Sequence, residues 1–458
     1  MTMMNQLRTV ARNFHKPLKA LAAGALALGV SFAGAGNAQA TVFLWTNTTS
    51  DVWQDPNAWN PVGVPGVSDT ATFNAAATHS VTLTNDVVTG VMDVTVTPQN
   101  NAQTLTVNTG GNSLSLITPG SSSPTALFWG DASGGTNTVF LGSSTGQGKG
   151  LFVTNAASLR ATMGRSGWGV INVTNGYVQV GIPGVSGSAA ILGNNGGPAS
   201  RGMLTLSGSS TVWSNFALMS VGNNVGAFLN SLTVSNSATL YQIGGALTVG
   251  AASGSSNLVL VDTGGRVIVS SNNASTLIGL TSGVGNQITV RGGGVWDNGG
   301  KSFTIGATGA SNALTVGSSA LVTNISTMPI NIGSFLNLSN GLLQVISSGI
   351  VSNGSSTITG SGTIVGNVVF AGTGTLTPGF GTSVGTLTLS NNLTLVSGST
   401  FNVKLDKGQT GSNDLITVAG TLAEAGTLTV NNVGAALVGG DTFKIFSGTT
   451  SGHFNFIG

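Results

Sequence analysis

Residues 231–250 read SLTVSNSATLYQIGGALTVG, and this stretch decides the fold. Leu232 and Val234 lie on one side of a two-residue alternation, with Thr233 and Ser235 on the other. Asn236-Ser237 interrupts it, Ala238 and Leu240 resume it, and Leu247 and Val249 form a third short run before Gly250. A helix would bring its apolar residues back every three or four positions, whereas these return every two, the period of a half-buried strand. Three short strands joined at corners of Asn, Ser and Gly describe one triangular coil of a parallel β-helix. The aliphatic residues are expected to face inward, and Thr233, Ser235, Thr239 and Thr248 outward.

Outward from this unit, the same pattern repeats. An apolar residue followed by glycine recurs at Met163-Gly164, Leu192-Gly193, Val221-Gly222, Val249-Gly250, Ile278-Gly279, Ile305-Gly306 and Ile332-Gly333, with glycine spacings of 29, 29, 28, 29, 27 and 27. Downstream of each glycine runs an alternating string, beginning at Ile171, Leu204, Leu232, Leu258, Ile288, Leu314 and Leu336. A period near 28 is too short for propeller blades of about 40–45 residues. The expected fold is therefore all-β, a right-handed parallel β-helix of about 28-residue coils with atypical capping ends. A single coil cannot bury enough surface to fold alone, so pairing between neighbouring coils must hold the stack together. Residues 41–458 would make about fifteen coils, a rod on the order of 70 Å at ~4.8 Å per strand spacing.

Composition agrees with many short strands and turns. Charged residues are only 6% of the chain, hydrophobic residues 40%, and glycine accounts for 71 of 458 positions, about twice the usual share. There is no cysteine, so neither disulfides nor thiolate metal sites contribute. The first forty residues carry Arg8, Arg12, Lys16 and Lys19 without an acid, then an apolar run from Ala20 to Ala35, then Ala38-Gln39-Ala40. That order is the signature of a secretory signal peptide over 1–40. Four of the fourteen Lys and Arg lie there and none of the twelve acids, so the remainder has a formal charge of −2 and no basic patch for nucleic acid. No apolar run of about eighteen residues follows Ala40, and no membrane-spanning helix is expected in the mature chain.

Residues 41–73 stand apart from the repeat. They contain Trp45, Trp53-Gln-Asp55-Pro-Asn-Ala-Trp59-Asn60, Pro65 and Asp69-Thr-Ala-Thr-Phe73. Such a terminal segment caps the open edge of the first coil; alternatively Trp45, Trp53 and Trp59 form an aromatic platform that contacts a sugar ligand. This opening resembles that of bacterial surface proteins with the autotransporter-associated β-strand repeat. The distal strings Gly374-Thr-Leu-Thr-Pro378-Gly379, Gly398-Ser-Thr-Phe-Asn-Val-Lys-Leu-Asp406, Asp414-Leu-Ile-Thr-Val-Ala-Gly420 and Gly440-Asp441-Thr-Phe-Lys-Ile-Phe are similar to that family's terminal module. The resemblance implies a β-helical autotransporter passenger or a relative of the PEP-CTERM-sorted proteins, and it brings no catalytic residues. No Pro-Glu-Pro motif precedes Phe456-Ile-Gly458, so the sorting anchor is not expected within this chain. The expected organisation is the signal peptide (1–40), a cap with the first coils (41–140), the repeat β-helix (141–359) and the module resembling that family (360–458).

Chemistry is sparse in this sequence. Parallel β-helices also host polysaccharide lyases and hydrolases, and glycoside hydrolysis needs two carboxylates about 5–10 Å apart. The acids beyond residue 40 are eleven Asp and Glu424; none lies between Asp131 and Asp262, and Asp262 and Asp297 occupy different parts of their coils. Asp51 and Asp55 read as turn acceptors, and Asp406 and Asp414 as residues flanking a loop. His79 and His453 stand at opposite ends without a partner at metal-ligand spacing, and Gly292-Gly293-Gly294 lies outside any strand-to-helix phosphate loop. The glycine-rich turns lack the repeated Asp of calcium-binding solenoids. Arg160, Arg165, Arg201, Arg266 and Arg291 read as scattered surface charges, with an anionic-polysaccharide groove as the alternative. No catalytic, cofactor or metal site is expected. The expected role is that of an exported, extracellular or outer-surface structural or adhesive solenoid: a stalk, matrix component or passenger. Periplasmic residence is a further alternative, and the partners are extracellular polysaccharide or other surface proteins. Polysaccharide binding is the second reading and polysaccharide cleavage the third.

Overall fold

The computed structural model of the chain describes residues 40–95, 102–117, 125–130, 136–142, 149–154, 160–185, 189–194, 200–270, 275–409 and 411–456. The expected signal peptide, apart from Ala40, lies outside them. Thr41–Gly458 forms one compact unit, all-β, whose strands, the cap pair Val42–Trp45 and Trp59–Asn60 apart, pair in parallel, rung on rung, in a solenoid-like stack. No α-helix occurs among the described residues. The expected boundaries near 140 and 360 do not interrupt the stack, since the strands Thr136–Gly142 and Thr357–Val365 pair with neighbours on both sides.

Three columns of inward side chains build the core. One runs His79, Leu105, Val139, Ile171, Leu204, Leu232, Val259, Ile288, Leu314, Leu336, Ile358, Leu376, Phe401, Leu428 through successive parallel pairings. A second passes through Val178, Trp213, Leu240, Val267, Trp296 and Val322. The third passes through Met163, Leu192, Val221, Val249, Ile278 and Ile305. In the coil that opened the argument, Leu232, Val234, Ala238, Leu240, Leu247 and Val249 are all fully buried, as the alternation requires. Asn236 and Ser237 turn the corner with φ of 51° and 65°. Thr248 departs from expectation and is buried, because it sits between Ser220 and Leu277 on the adjoining rungs and the longer leucine shields it.

Two further expectations need correction. Leu258 was placed in the inward series, but the pairing Leu232 with Val259 turns Val259 and Val261 inward and leaves Leu258 half-buried on the outside. Four consecutive apolar residues carry no alternation, so only the neighbouring rungs set the register. Ile332-Gly333 is not the seventh member of its series either: Ile305 pairs with Ile330, and Ile332 is 66% exposed. The coil length is also less uniform than 28. In the first column it is 28 residues from Leu204 to Leu232 but 22 from Leu314 to Leu336 and 18 from Ile358 to Leu376.

The recurrent glycine has a physical cause that only the packed structure shows. Asn230, Asn257, Asn286 and Asn312 are buried one above another at one corner. The Asn230 side-chain amide donates to Asn257 Oδ1 (2.8 Å), Asn257 to Asn286 Oδ1 (2.8 Å) and Asn286 to Asn312 Oδ1 (3.0 Å). The backbone N–H of each donor residue reaches the same oxygen at 3.0–3.1 Å. Gly222 and Gly250 lie against this ladder with φ of 78° and 72°; a Cβ on either would stand 2.3 and 2.2 Å from the amide nitrogen of Asn257 and Asn286. Both the left-handed backbone and the close approach therefore demand glycine. Beyond Asn312 the ladder position passes to Ser334 and Ser356, both buried, and there the coils shorten. A hydroxyl reaches less far than a carboxamide and suits the tighter corner.

Candidate functional site

The cap begins with Val42–Trp45 pairing antiparallel to Trp59–Asn60 and parallel to the strand Thr70–Phe73. Trp45, Trp53 and Trp59 are 3%, 0% and 1% exposed. Their rings pack on Phe73 at centroid distances of 5.6, 6.0 and 5.6 Å, and the Trp59 indole N–H donates to the Trp53 carbonyl at 2.9 Å. A ring with no face in solvent has nothing to stack on a pyranose, so the aromatic platform expected at these three residues is corrected to a buried plug. The physical reason is that three indoles bury far more area against each other and Phe73 than a ligand would offer.

Most of the described carboxylates are engaged within the fold. Asp51 accepts from Asn47 Nδ2 and its own neighbour Val52 N at 2.8 Å each, and Asp55 caps the short turn Pro56–Ala58 through Asn57 N at 2.8 Å. Asp86 pairs with Lys149 at 2.8 Å and Asp262 with Arg291 at 2.9 Å. Asp297 receives Gly299 N and Asn324 Nδ2, both at 2.9 Å. Asp406 accepts from Gly408 N at 3.0 Å in its turn. Asp414 is different: it is wholly buried, 2.8 Å from the equally buried Lys404 ammonium, and its oxygens also accept from Gly385 N and Lys404 N at 2.8 Å. The expected loop-flanking residue is thus half of an interior ion pair, a role that its sequence neighbours do not announce. Among the described residues no group of three or more His, Asp or Glu could hold a metal ion. No helix among them is long and apolar enough to cross a membrane.

His79 occupies an inward position of the first column, 2% exposed, beside Phe73. Its Nε2 lies 3.1 Å from Gln103 Nε2, and Nδ1 has no hydrogen-bond partner among the described residues. Burial holds its pKa below the usual 6.5. The folded state thus favours the neutral ring, so stability is complete above 6.5 and declines as pH falls from there toward the folded value. Once corrected for the intrinsic pH dependence of exchange, the protection of the Thr104–Val107 amides is expected to be lower at pH 5 than at pH 7, while that of the Gln287–Val290 rung does not change. In the His79→Leu/Gln103→Leu double variant the difference should vanish. Equal acid sensitivity in that variant would exclude His79 as the source.

Of the five arginines, Arg201 has a distinctive setting. Its guanidinium lies 4.6 Å from the centre of the Trp168 ring and 5.5 Å from that of Phe228, and Nε is buried without a hydrogen bond among the described residues. Trp168 and Arg201 pair across one rung. Next to Phe228, Leu229 is 46% exposed with φ of 56°. It opens a shallow groove of about 350 Å³ whose other walls include Ser231, Ser256, Leu258, Gly285 and Gln287. The successive rungs place Ser256, Gly285, Ser311 and Gly333 at this left-handed position, each immediately before a ladder residue. A leucine costs about 1–2 kcal/mol there, partly offset against glycine by the ~0.5–1 kcal/mol of extra chain entropy that glycine loses. Leu229→Gly should therefore stabilise the chain by roughly 0.5–1 kcal/mol. Thermal unfolding checks this, and a lowered midpoint would mean that Leu229 packs usefully in the free protein.

The sequence named Arg201 as one of five arginines, with an anionic-polysaccharide groove as the alternative, but did not set it apart from the other four or point to the groove at Leu229. The usable signal was the charge pattern: residues 132–261 hold Lys149, Arg160, Arg165 and Arg201 and no acid. Arg160 and Arg266 stand on different strands, and Arg291, just past the strand Gln287–Val290, is tied to Asp262. No family model matches the chain, and no curated protein does either.

Proposed function

We propose that this chain is an exported structural and adhesive solenoid of the cell surface, built as a right-handed parallel β-helix and serving as a stalk, matrix component or passenger without catalysis of its own. The observation that carries the proposal is the interlocked corner, in which each buried asparagine is fitted against a glycine and bonded to the next asparagine. Such a ladder joins the four rungs from Asn230 to Asn312 and suits a stiff spacer. The right hand accords with the general preference of parallel crossover connections. Export is supported by the basic, then apolar, then Ala38-Gln39-Ala40 order of the first forty residues, and kinship with the autotransporter-associated repeat proteins by the strings quoted above. The non-catalytic reading is supported by the aspartates, which serve turns and ion pairs.

Small-angle scattering of the purified chain tests the proposal. A rod-like cross-section with a length on the order of 70 Å is expected at ~4.8 Å per rung; a compact particle with the radius of a globular domain would refute the spacer role.

A further inference from the structure

We propose that Arg201 and the groove beginning at Leu229 form a binding site for an acidic polysaccharide, a function beyond the spacer role and independent of it. Three observations converge. Arg201 is clamped between Trp168 and Phe228 at 4.6 and 5.5 Å, and no carboxylate pairs with it among the described residues. Stacking holds the guanidinium with its Nε buried, so the two Nη nitrogens are the end of the group that takes a carboxylate.

The second observation is the strain at Leu229. The position calls for a left-handed backbone, and the following rungs meet it with Ser256, Gly285, Ser311 and Gly333. A leucine there is both strained and 46% exposed, two costs that the fold does not need. The corner accounts for the left-handed backbone but not for an exposed leucine in it, and such a residue is a candidate ligand contact.

The third observation is the composition and direction of the groove. Leu229 and Leu258 offer apolar contact, while Ser231, Ser256 and Gln287 offer hydroxyl and amide partners. The wall crosses three successive rungs, at about 4.8 Å per rung, close to the length of one pyranose residue. A sugar chain lying along the stack places ring faces on the leucines, hydroxyls on the polar residues and a uronate carboxylate on Arg201. A nucleic acid would require a cation for each successive phosphate, and beyond Leu229 the groove carries none.

The test is calorimetric titration of the full chain with oligogalacturonate, with its fully methyl-esterified form and with a poly-glutamate peptide. Oligogalacturonate is expected to bind in a salt-dependent manner, the neutral ester to bind at least tenfold more weakly, and poly-glutamate not to compete. Arg201→Gln should weaken oligogalacturonate binding by about tenfold or more, the scale of a charged hydrogen bond. Leu229→Gly, whose fold is expected to gain stability, should weaken it about fivefold, the effect of one lost apolar contact. Absence of oligogalacturonate binding, equal binding of the ester, or unchanged affinity in a folded Arg201→Gln chain would each overturn the site. Preferential binding of poly-glutamate would overturn the saccharide assignment in favour of an acidic protein partner.

Discussion

Replacing Asn257 by alanine should cost about 4 kcal/mol, although the residue lies far from any charged group. Asn257 Oδ1 accepts from the backbone and side-chain nitrogens of Asn230 at 3.0 and 2.8 Å, and its Nδ2 donates to Ala227 O at 3.3 Å and Asn286 Oδ1 at 2.8 Å. Alanine leaves both Asn230 donors without an acceptor in a buried corner, at about 1–3 kcal/mol for each group that relaxation does not rescue, while Ala227 O keeps Ser255 N and Asn286 Oδ1 keeps the backbone N–H of residue 257. The loss also opens space beside Gly222, whose missing side chain exists to admit this amide. Long repeat arrays do not always unfold as one unit, so amide exchange on the Ser231–Ser235 and Leu258–Val261 rungs is the direct measurement. Protection should fall there first. A loss below about 1 kcal/mol would show that water enters the corner and satisfies these groups. Asn312→Ser should be milder, because the next rung already carries Ser334 in that place.

Asp414→Ala is the second severe substitution. Lys404 would keep a buried ammonium with the Pro378 carbonyl as its remaining partner, and Gly385 N and Lys404 N would lose their acceptor. Removing one member of a buried pair costs about 3–5 kcal/mol. Replacing both, as Lys404→Met/Asp414→Leu, should recover a large part of this loss, because the apolar pair carries no desolvation cost; the two backbone amides keep the recovery incomplete. Urea unfolding with exchange at Thr400–Leu405 distinguishes these cases. If the single and double variants were equally unstable, the backbone contacts of Asp414 and not its charge would be its contribution.

The alternation at Leu232, Val234, Ala238 and Leu240 was enough to give strands, and the glycine spacing enough to give stacked coils, because both patterns are local consequences of where the core lies. The Trp-rich opening read equally well as a cap or as an aromatic platform, and only burial of Trp45, Trp53 and Trp59 decided between them. Likewise Val261-preceding Leu258, Val259 and Leu260 could present either pair inward, and Ile332-Gly333 imitated a core pair while lying on the surface. The asparagine ladder was hidden for another reason. Asparagine is common throughout the chain, and standing two residues before a buried aliphatic does not mark Asn230, Asn257, Asn286 and Asn312, since Asn85, Asn112 and Asn391 stand likewise before Val87, Leu114 and Leu393.

Arg201 and Asp414 show the same division. Their partners Trp168 and Phe228, or Lys404, Gly385 and Pro378, come from other strands or rungs, and no spacing rule joins them. What the sequence determined alone was the two-residue period and the approximate coil repeat, since these depend on each residue's own polarity and turn preference. The register, the buried amide ladder, the interior ion pair and the clamped arginine were decided by the tertiary structure, because each depends on which side chains meet when one rung settles on the next.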